Sequence, residues 1–141
     1  MTIETKLDRL TKPAILFARI ALAASFLSAV ADRFGLWGEA GSGEVAWGSF
    51  PAFVEYTGML LWFLPKSLVI VSAWIATMLE GLLAIGLLIG YRLRLVALAS
   101  CLLLLSFALS MTFSTGAEGP LSYSVWTAAA AALLLATHPS V

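Results

Sequence analysis

The sequence predicts an all-α integral membrane four-helix bundle with an interfacial helix in its first extracytoplasmic connection. Of the 141 residues, 61% are hydrophobic and only 11% are charged. A soluble domain carries about 25% charge, and a chain this short buries too small a fraction of its surface to hide so many apolar side chains. The few charges are also spaced so that four apolar stretches are long enough to cross a bilayer.

Two of these stretches carry no formal charge at all. Twenty-three residues separate Arg94 from Glu118, and another 23 follow Glu118, whereas a crossing helix needs about 20. Two further stretches are interrupted once each, by Arg19 and by Glu80. The predicted spans in this single domain, residues 1–141, are 13–31, 67–90, 95–114 and 121–137.

The basic residues predict the orientation, because cytoplasmic flanks of membrane helices are enriched in Lys and Arg. The first long connection has only Arg33 and Lys66, whereas the N-terminal flank and the turn between the second and third spans have five basic residues: Lys6, Arg9, Lys12, Arg92 and Arg94. We therefore expect a multi-pass protein of the bacterial inner membrane with both termini in the cytoplasm.

The first connection, residues 32–66, is too long for a plain loop. Its glycine-rich beginning is predicted to be irregular. Residues 49–64 are predicted to form an interfacial helix, with Ser49 as its cap and Pro51 in its first turn. Aromatic residues in this segment suit the headgroup zone, and the helix could serve as a lid resting on the bundle or as a substrate gate.

Arg19 and Glu80 are the two charges inside the predicted spans. A charge at the bilayer centre costs about 2.5–3.5 kcal/mol on insertion scales. Arg19 lies about 9 Å from the cytoplasmic start of its helix, and Glu80 about 15 Å from the cytoplasmic end of its own. Because a long arginine side chain can close that difference, the sequence predicts an Arg19–Glu80 ion pair within the bundle.

The residues around Glu80 predict that it faces inward. Ser72, Ala76, Glu80 and Ala84 recur every four residues and so share a helix face, with Thr77 beside it. Small residues there allow close approach of another helix. The pair could form a polar pocket for a ligand headgroup or a proton, or it could serve only to fix helix register.

Other polar residues carry weaker signals. Ser106, Ser110 and Ser114 share a face of the third span and could line a polar cavity or bond their own backbone. Asp32 and Arg33 could form an interfacial pair or simply end the first helix. One cysteine and one histidine predict no metal site, and eight basic against eight acidic residues predict no nucleic-acid partner.

The chain resembles the DoxX family of small four-helix membrane proteins over residues 13–137. The resemblance rests on short motifs along the chain: Ala18-Arg19-Ile20, Ser25-Phe26-Leu27, Phe50-Pro-Ala-Phe-Val-Glu-Tyr56, Leu79-Glu80-Gly81, Gly86, Gly90 and Arg94. It departs from the family pattern at Ala31-Asp32-Arg33 and in a longer glycine-rich insertion near residues 35–48.

The resemblance implies that Arg19, Glu80 and Arg94 are the characteristic charged positions, and it draws attention to Glu55 and Tyr56. Relatives are associated with thiosulfate:quinone oxidoreductase or terminal quinol oxidase subunits, and others with oxidative-stress complexes.

Three hypotheses for the function follow. The first is a non-autonomous membrane subunit that binds an amphipathic molecule such as a quinone and serves a redox partner. The second is a non-catalytic scaffold or assembly factor, and the third is a small-solute transporter, which would require a homo-oligomer. Membrane lipids are expected partners in each case, and no catalytic residue is assigned.

Overall fold

A computed structural model describes residues 1–141 as seven α-helices without a strand. The helices are α1 (Ile3–Asp8), α2 (Thr11–Arg33), α3 (Phe50–Leu60), α4 (Lys66–Ile89), α5 (Leu93–Thr115), α6 (Glu118–Ser122) and α7 (Val125–Thr137). The all-helical prediction is confirmed, and α2, α4 and α5 are long and apolar enough to cross a membrane.

These three long helices lie where the sequence predicts spans, with ends that differ by at most two residues. The predicted fourth helix, residues 121–137, is not continuous. It is divided at Tyr123 and Ser124, where Ser124 has a φ of 58°, a left-handed conformation that an α-helix does not accommodate. The short helices α1 and α6 were not predicted.

The core forms where α2, α4, α5 and α7 meet. Helix α5 packs most extensively against α7, α2 packs mainly on α4, and α3 lies against α4 and α5. The buried core side chains are mostly small or aliphatic: Leu22, Ala23, Phe26, Ala84, Leu87, Ala97, Cys101, Leu104, Ala129, Ala132 and Leu135. Small residues let the helices approach closely.

The outer surface of the bundle is strongly apolar. Only 24 of the 141 residues are buried, while Phe17 and Phe113 are 74% and 84% exposed. So many exposed large apolar side chains are rare on soluble monomers. This surface is compatible with a multi-pass membrane protein.

The connection between α2 and α3 consists of turns, and α3 begins as the sequence predicts. Ser49 Oγ accepts a hydrogen bond from Ala52 N at 3.3 Å, and Pro51 lies in the first turn. Residues 61–64 form a turn rather than extending the helix. Helix α3 is therefore shorter than the predicted segment 49–64 and is flanked by non-helical chain on both sides.

The fold sorts the charges along the bundle. The start of α2, the end of α4, the start of α5 and the end of α7 lie together, as contacts of Arg19 and Arg94 show. Six of the eight basic residues but only two acidic residues lie at this end, which we call the basic end. The basic residues are Lys6, Arg9, Lys12, Arg19, Arg92 and Arg94, and the acidic ones are Glu4 and Asp8.

Candidate functional site

A buried ion pair joins the end of α2 to the middle of α4. Arg33 Nη1 contacts Glu80 Oε2 and donates a hydrogen bond to Thr77 Oγ1 at 2.8 Å. Arg33, Thr77 and Glu80 are 2%, 5% and 3% exposed. Three polar side chains are thus enclosed in an otherwise apolar bundle, where burying a charge is tolerated only with such partners.

The face of α4 that carries this site follows from helical periodicity. Its buried residues recur at spacings of three and four, as expected for one side of an α-helix: Val69, Ala73, Thr77, Glu80, Ala84 and Leu87. The strict spacing of four predicted from Ser72, Ala76 and Glu80 drifts off this face, because a turn has 3.6 residues. Ser72 and Ala76 are accordingly half-buried at its edge.

Two aromatic rings cover the guanidinium of Arg33. Its Cζ lies 3.7 Å from the ring centroid of Phe53 and 5.2 Å from that of Trp47. The rings pack edge to face, with centroids 5.0 Å apart. A cation over an aromatic face is attracted by the ring quadrupole, so α3 and the preceding connection hold the charge as well as shield it from water.

Asp32, the neighbour of Arg33 in sequence, fixes the connection that supplies Trp47. Its carboxylate is buried and accepts hydrogen bonds from Trp47 N at 3.0 Å and from Gly48 N at 3.3 Å. The two adjacent charges at the end of α2 therefore have different roles. Asp32 positions the covering segment, and Arg33 reaches into the bundle.

One donor of the site has no partner. Arg33 Nε is buried and makes no hydrogen bond. A buried unmatched donor costs about 1–3 kcal/mol, which an acceptor oxygen placed beside it would recover. Chemically, the site offers a free N–H donor, a carboxyl group that can carry a proton, and aromatic faces next to both.

The predicted Arg19–Glu80 pair is wrong, because Arg33 occupies the place beside Glu80. Arg19 instead donates from Nε to Leu87 O at 2.7 Å and from Nη2 to Leu88 O at 2.8 Å. These carbonyls belong to the last turn of α4, where no intrahelical donor is left for them and where the helix dipole favours a cation. They lie about 10 Å further along the helix axis than Glu80.

Arg94 also lies away from the site. Its Nε donates to Val141 O at 2.7 Å, and its Nη2 contacts His138 O and Pro139 O at 3.3 Å. Arg94 thereby ties the residues after α7 to the start of α5 at the basic end. The structure does not bring Arg19, Glu80 and Arg94 together.

Of the residues before α4, Tyr56 lies beside the site and Glu55 does not. The ring of Tyr56 is 5.8 Å from that of Trp47, and Glu55 is exposed. Burial raises the pKa of the Tyr56 phenol above its ordinary value, and the nearby Tyr123 adds to this effect. Tyr56 therefore keeps its proton and borders the aromatic cover.

The serines predicted on one face of the third span lie apart from the Arg33–Glu80 contacts, and Ser114 Oγ donates to Leu60 O of α3 at 2.7 Å. Ser106 is exposed and donates to Leu103 O of its own helix at 2.6 Å, and Ser110 is only half-buried. The buried face of α5 is formed by other residues: Ala97, Ser100, Cys101, Leu104, Ala108 and Met111.

Sequence reasoning missed Phe53 and Trp47 as the cover and Arg33 as the partner of Glu80. The available signal was an acidic–basic pair at a helix end followed by an aromatic-rich segment. A helix-end arginine can bury its head group inside the bundle only if another segment closes over it, and a linear pattern does not show that closure.

Comparison of the chain with protein-family models, with curated proteins and with solved structures finds no match.

Proposed function

We propose that the chain crosses the bacterial inner membrane four times. Helices α2, α4 and α5 would provide three crossings. Helix α7, about 20 Å long, would provide most of the fourth, with the short α6 before it completing the path. Helix α3 would lie in the outer headgroup zone, a placement supported by Trp62 and Phe63, which are 75% and 64% exposed. The basic end would face the cytoplasm and carry both termini.

We propose further that the chain is a DoxX-like subunit that binds an amphipathic molecule of the quinone class and serves a membrane oxidoreductase. The observation that carries this proposal is the unpartnered Arg33 Nε beside the buried Glu80. A quinone carbonyl is a hydrogen-bond acceptor that would match Nε. Its apolar tail would lie along the apolar exterior of the helices.

The roles of the chain's own residues in this function follow from their contacts. Arg33 would orient the ligand head group, Glu80 would hold a proton close to it, and Thr77 would keep the guanidinium in place. A bound quinone would supply the redox chemistry, with electrons from the partner protein. General acid–base work of this kind requires the proton donor within hydrogen-bond reach, directly or through one water.

Access to the site would require the aromatic cover to move. The rings form a continuous series from the exposed edge of the bundle to Arg33, with Phe50 4.1 Å from Trp74 and 6.1 Å from Phe53. Because non-helical chain flanks α3, this helix can shift without unwinding the long helices. A flat ligand ring would take the place of Phe53 over the guanidinium.

A scaffold or assembly factor is the second candidate, and the completeness of the cover favours it. Both charges are nearly fully buried, and Phe53 and Trp47 cover the Arg33 guanidinium, which is the arrangement expected of a pair that only fixes helix register. Removing one partner of such a pair is strongly destabilising even when the pair contributes little net stability.

Quinone binding by the purified protein in lipid nanodiscs separates the two candidates. Both site variants nearly keep the side-chain size. Arg33→Lys keeps the positive charge but removes the guanidinium donors, and Glu80→Gln removes the negative charge. Arg94→Lys, at the other end of the bundle, is the matched control. We expect at least about tenfold weaker binding, or about 1.4 kcal/mol, in the two site variants only.

Helical content by circular dichroism and the melting temperature are measured on the same samples. Equal quinone binding by all four proteins would contradict the binding function. A lowered melting temperature in the two site variants, with no quinone binding by any protein, would support the scaffold.

A further inference from the structure

An apolar groove lies at the basic end, far from the Arg33–Glu80 site. It has a volume of about 360 Å³ and separates α1 and the first half of α2 from α7. Its walls include Leu7, Ala14, Ala18, Ala131 and Leu134, and His138 lies at its polar margin.

Small side chains keep this groove open. Ala14 and Ala18 of α2 face the alanine-rich part of α7, so α2 and α7 are joined by much less packing than α5 and α7. An apolar depression lined by aliphatic side chains of three helices suits a flexible hydrocarbon chain.

The charges around the groove favour an anionic head group. The basic end has six basic and two acidic residues, an excess of four positive charges. Lys6, Arg9 and Lys12 are next to the groove in sequence, and none of them forms an ion pair, since Arg33–Glu80 is the only one in the molecule. These cations are therefore free to meet a phosphate.

His138 adds a directed donor at the margin. Its Nδ1 accepts a hydrogen bond from Ser140 N at 3.1 Å. In a neutral imidazole the other nitrogen then carries the proton, so His138 Nε2 is available to donate to a phosphate oxygen.

We propose that this groove binds one acyl chain of an anionic phospholipid, with the phosphate held by Arg9, Lys12 and His138. The site is independent of the quinone proposal, because it uses no residue of the Arg33–Glu80 site. It would anchor α1 and the start of α2 to α7, since α2 and α7 have little direct packing.

Retention of lipid in native mass spectrometry tests this proposal. Phosphatidylglycerol and phosphatidylcholine with identical acyl chains are supplied in equal amounts to the purified full chain. The variant Ala131→Leu fills the groove, and Ala130→Leu, which adds the same side chain on an exposed neighbouring position of α7, is the matched control. Arg9→Gln combined with Lys12→Gln removes head-group contacts, with Lys66→Gln at the opposite end as its control.

We expect selective retention of phosphatidylglycerol by the unmodified protein and by both controls. Ala131→Leu should reduce the retention of phosphatidylglycerol about tenfold, because losing the burial of two acyl-chain methylene groups weakens binding by about that factor. The double charge variant should abolish the preference for phosphatidylglycerol over phosphatidylcholine. Equal retention of the two lipids by the unmodified protein would overturn the proposal, as would loss of retention in Ala130→Leu equal to that in Ala131→Leu.

Discussion

Arg33 and Glu80 form the single side-chain ion pair of this protein, and their side chains are only 2% and 4% exposed. The pair links the end of α2 to the middle of α4, with Thr77 as a third member. It is the place where this mostly apolar chain encloses opposite charges.

Removing one partner of the pair should be far more damaging than removing both. Glu80→Leu leaves Arg33 buried without its counter-charge, and we expect it to lower the free energy of unfolding by about 3–5 kcal/mol. In the double variant with Arg33→Met no charge remains buried, so the loss should be smaller than in either single variant. Unfolding in detergent measures all three, and additive losses would contradict coupling between the two residues.

Two glycines of α4 should respond oppositely to alanine. A Cβ at Gly86 would lie 3.0 and 3.1 Å from the two γ-carbons of Val96, whereas a Cβ at Gly81 would meet nothing within 4 Å. Alanine is favoured over glycine in a helix by about 1 kcal/mol, so Gly81→Ala should be neutral or stabilising.

Gly86→Ala should be less stable than Gly81→Ala, because the β-branched Val96 has no other rotamer readily available in a helix. Melting temperatures of both variants check this. When Gly86→Ala is combined with Val96→Ala, which itself removes packed methyl groups, the total loss should be smaller than the sum of the two single losses. Additive losses would show that the close approach of α4 and α5 is not the cause.

Gly48 should be the least replaceable glycine in the covering connection. It has a φ of +72°, and a Cβ there would overlap the backbone nitrogen of Ala40. Gly41 has a similar φ of +82° but open space around it, so Gly41→Ala measures the backbone strain alone, about 1–2 kcal/mol.

Gly48→Ala should lose more stability than Gly41→Ala and should also displace Trp47, whose amide is held by Asp32. A red shift of tryptophan emission in Gly48→Ala but not in Gly41→Ala is the expected signature. Equal effects of the two substitutions would argue against a tight approach of Gly48 to residue 40.

Arg19 should stabilise the end of α4 rather than the buried pair. Arg19→Met removes two hydrogen bonds to the carbonyls of Leu87 and Leu88, for an expected loss of about 1–2 kcal/mol in a partly exposed setting. Hydrogen–deuterium exchange should become faster at residues 86–92 and stay unchanged near Glu80. Lys6→Met, at an exposed position of the same end, is the control and should change neither.

Tyr56 should make stability sensitive to alkaline pH. Its pKa is raised in the folded chain, so the unfolded phenol, with its pKa of about 10, ionises first as the pH rises. The stability that Tyr56 contributes is therefore complete below the unfolded pKa and is lost as the pH rises through the folded pKa. Tyr56→Phe should weaken this fall relative to Tyr91→Phe, which changes an exposed ring, and identical pH profiles would contradict it.

Much of the fold was predictable because it follows from local chemistry. Apolar runs between charges locate α2, α4 and α5, and Ser49 with Pro51 marks the start of α3, since a helix end needs a cap for its free amide groups. The division of α6 from α7 was not predictable in this way. It depends on a left-handed Ser124, a conformation that the residue type does not favour.

The sequence by itself determined that Glu80 would be buried and paired, because a lone carboxylate within an apolar helix is too costly to leave without a partner. The tertiary structure alone decided which arginine fills that role. Arg19 lies beside free carbonyls of α4 and binds them, whereas Arg33 is folded inward by a connection that Asp32 fastens and that Phe53 and Trp47 close. A long, flexible cation takes the acceptors within its reach, and that reach is set by how the helices and the covering segment pack.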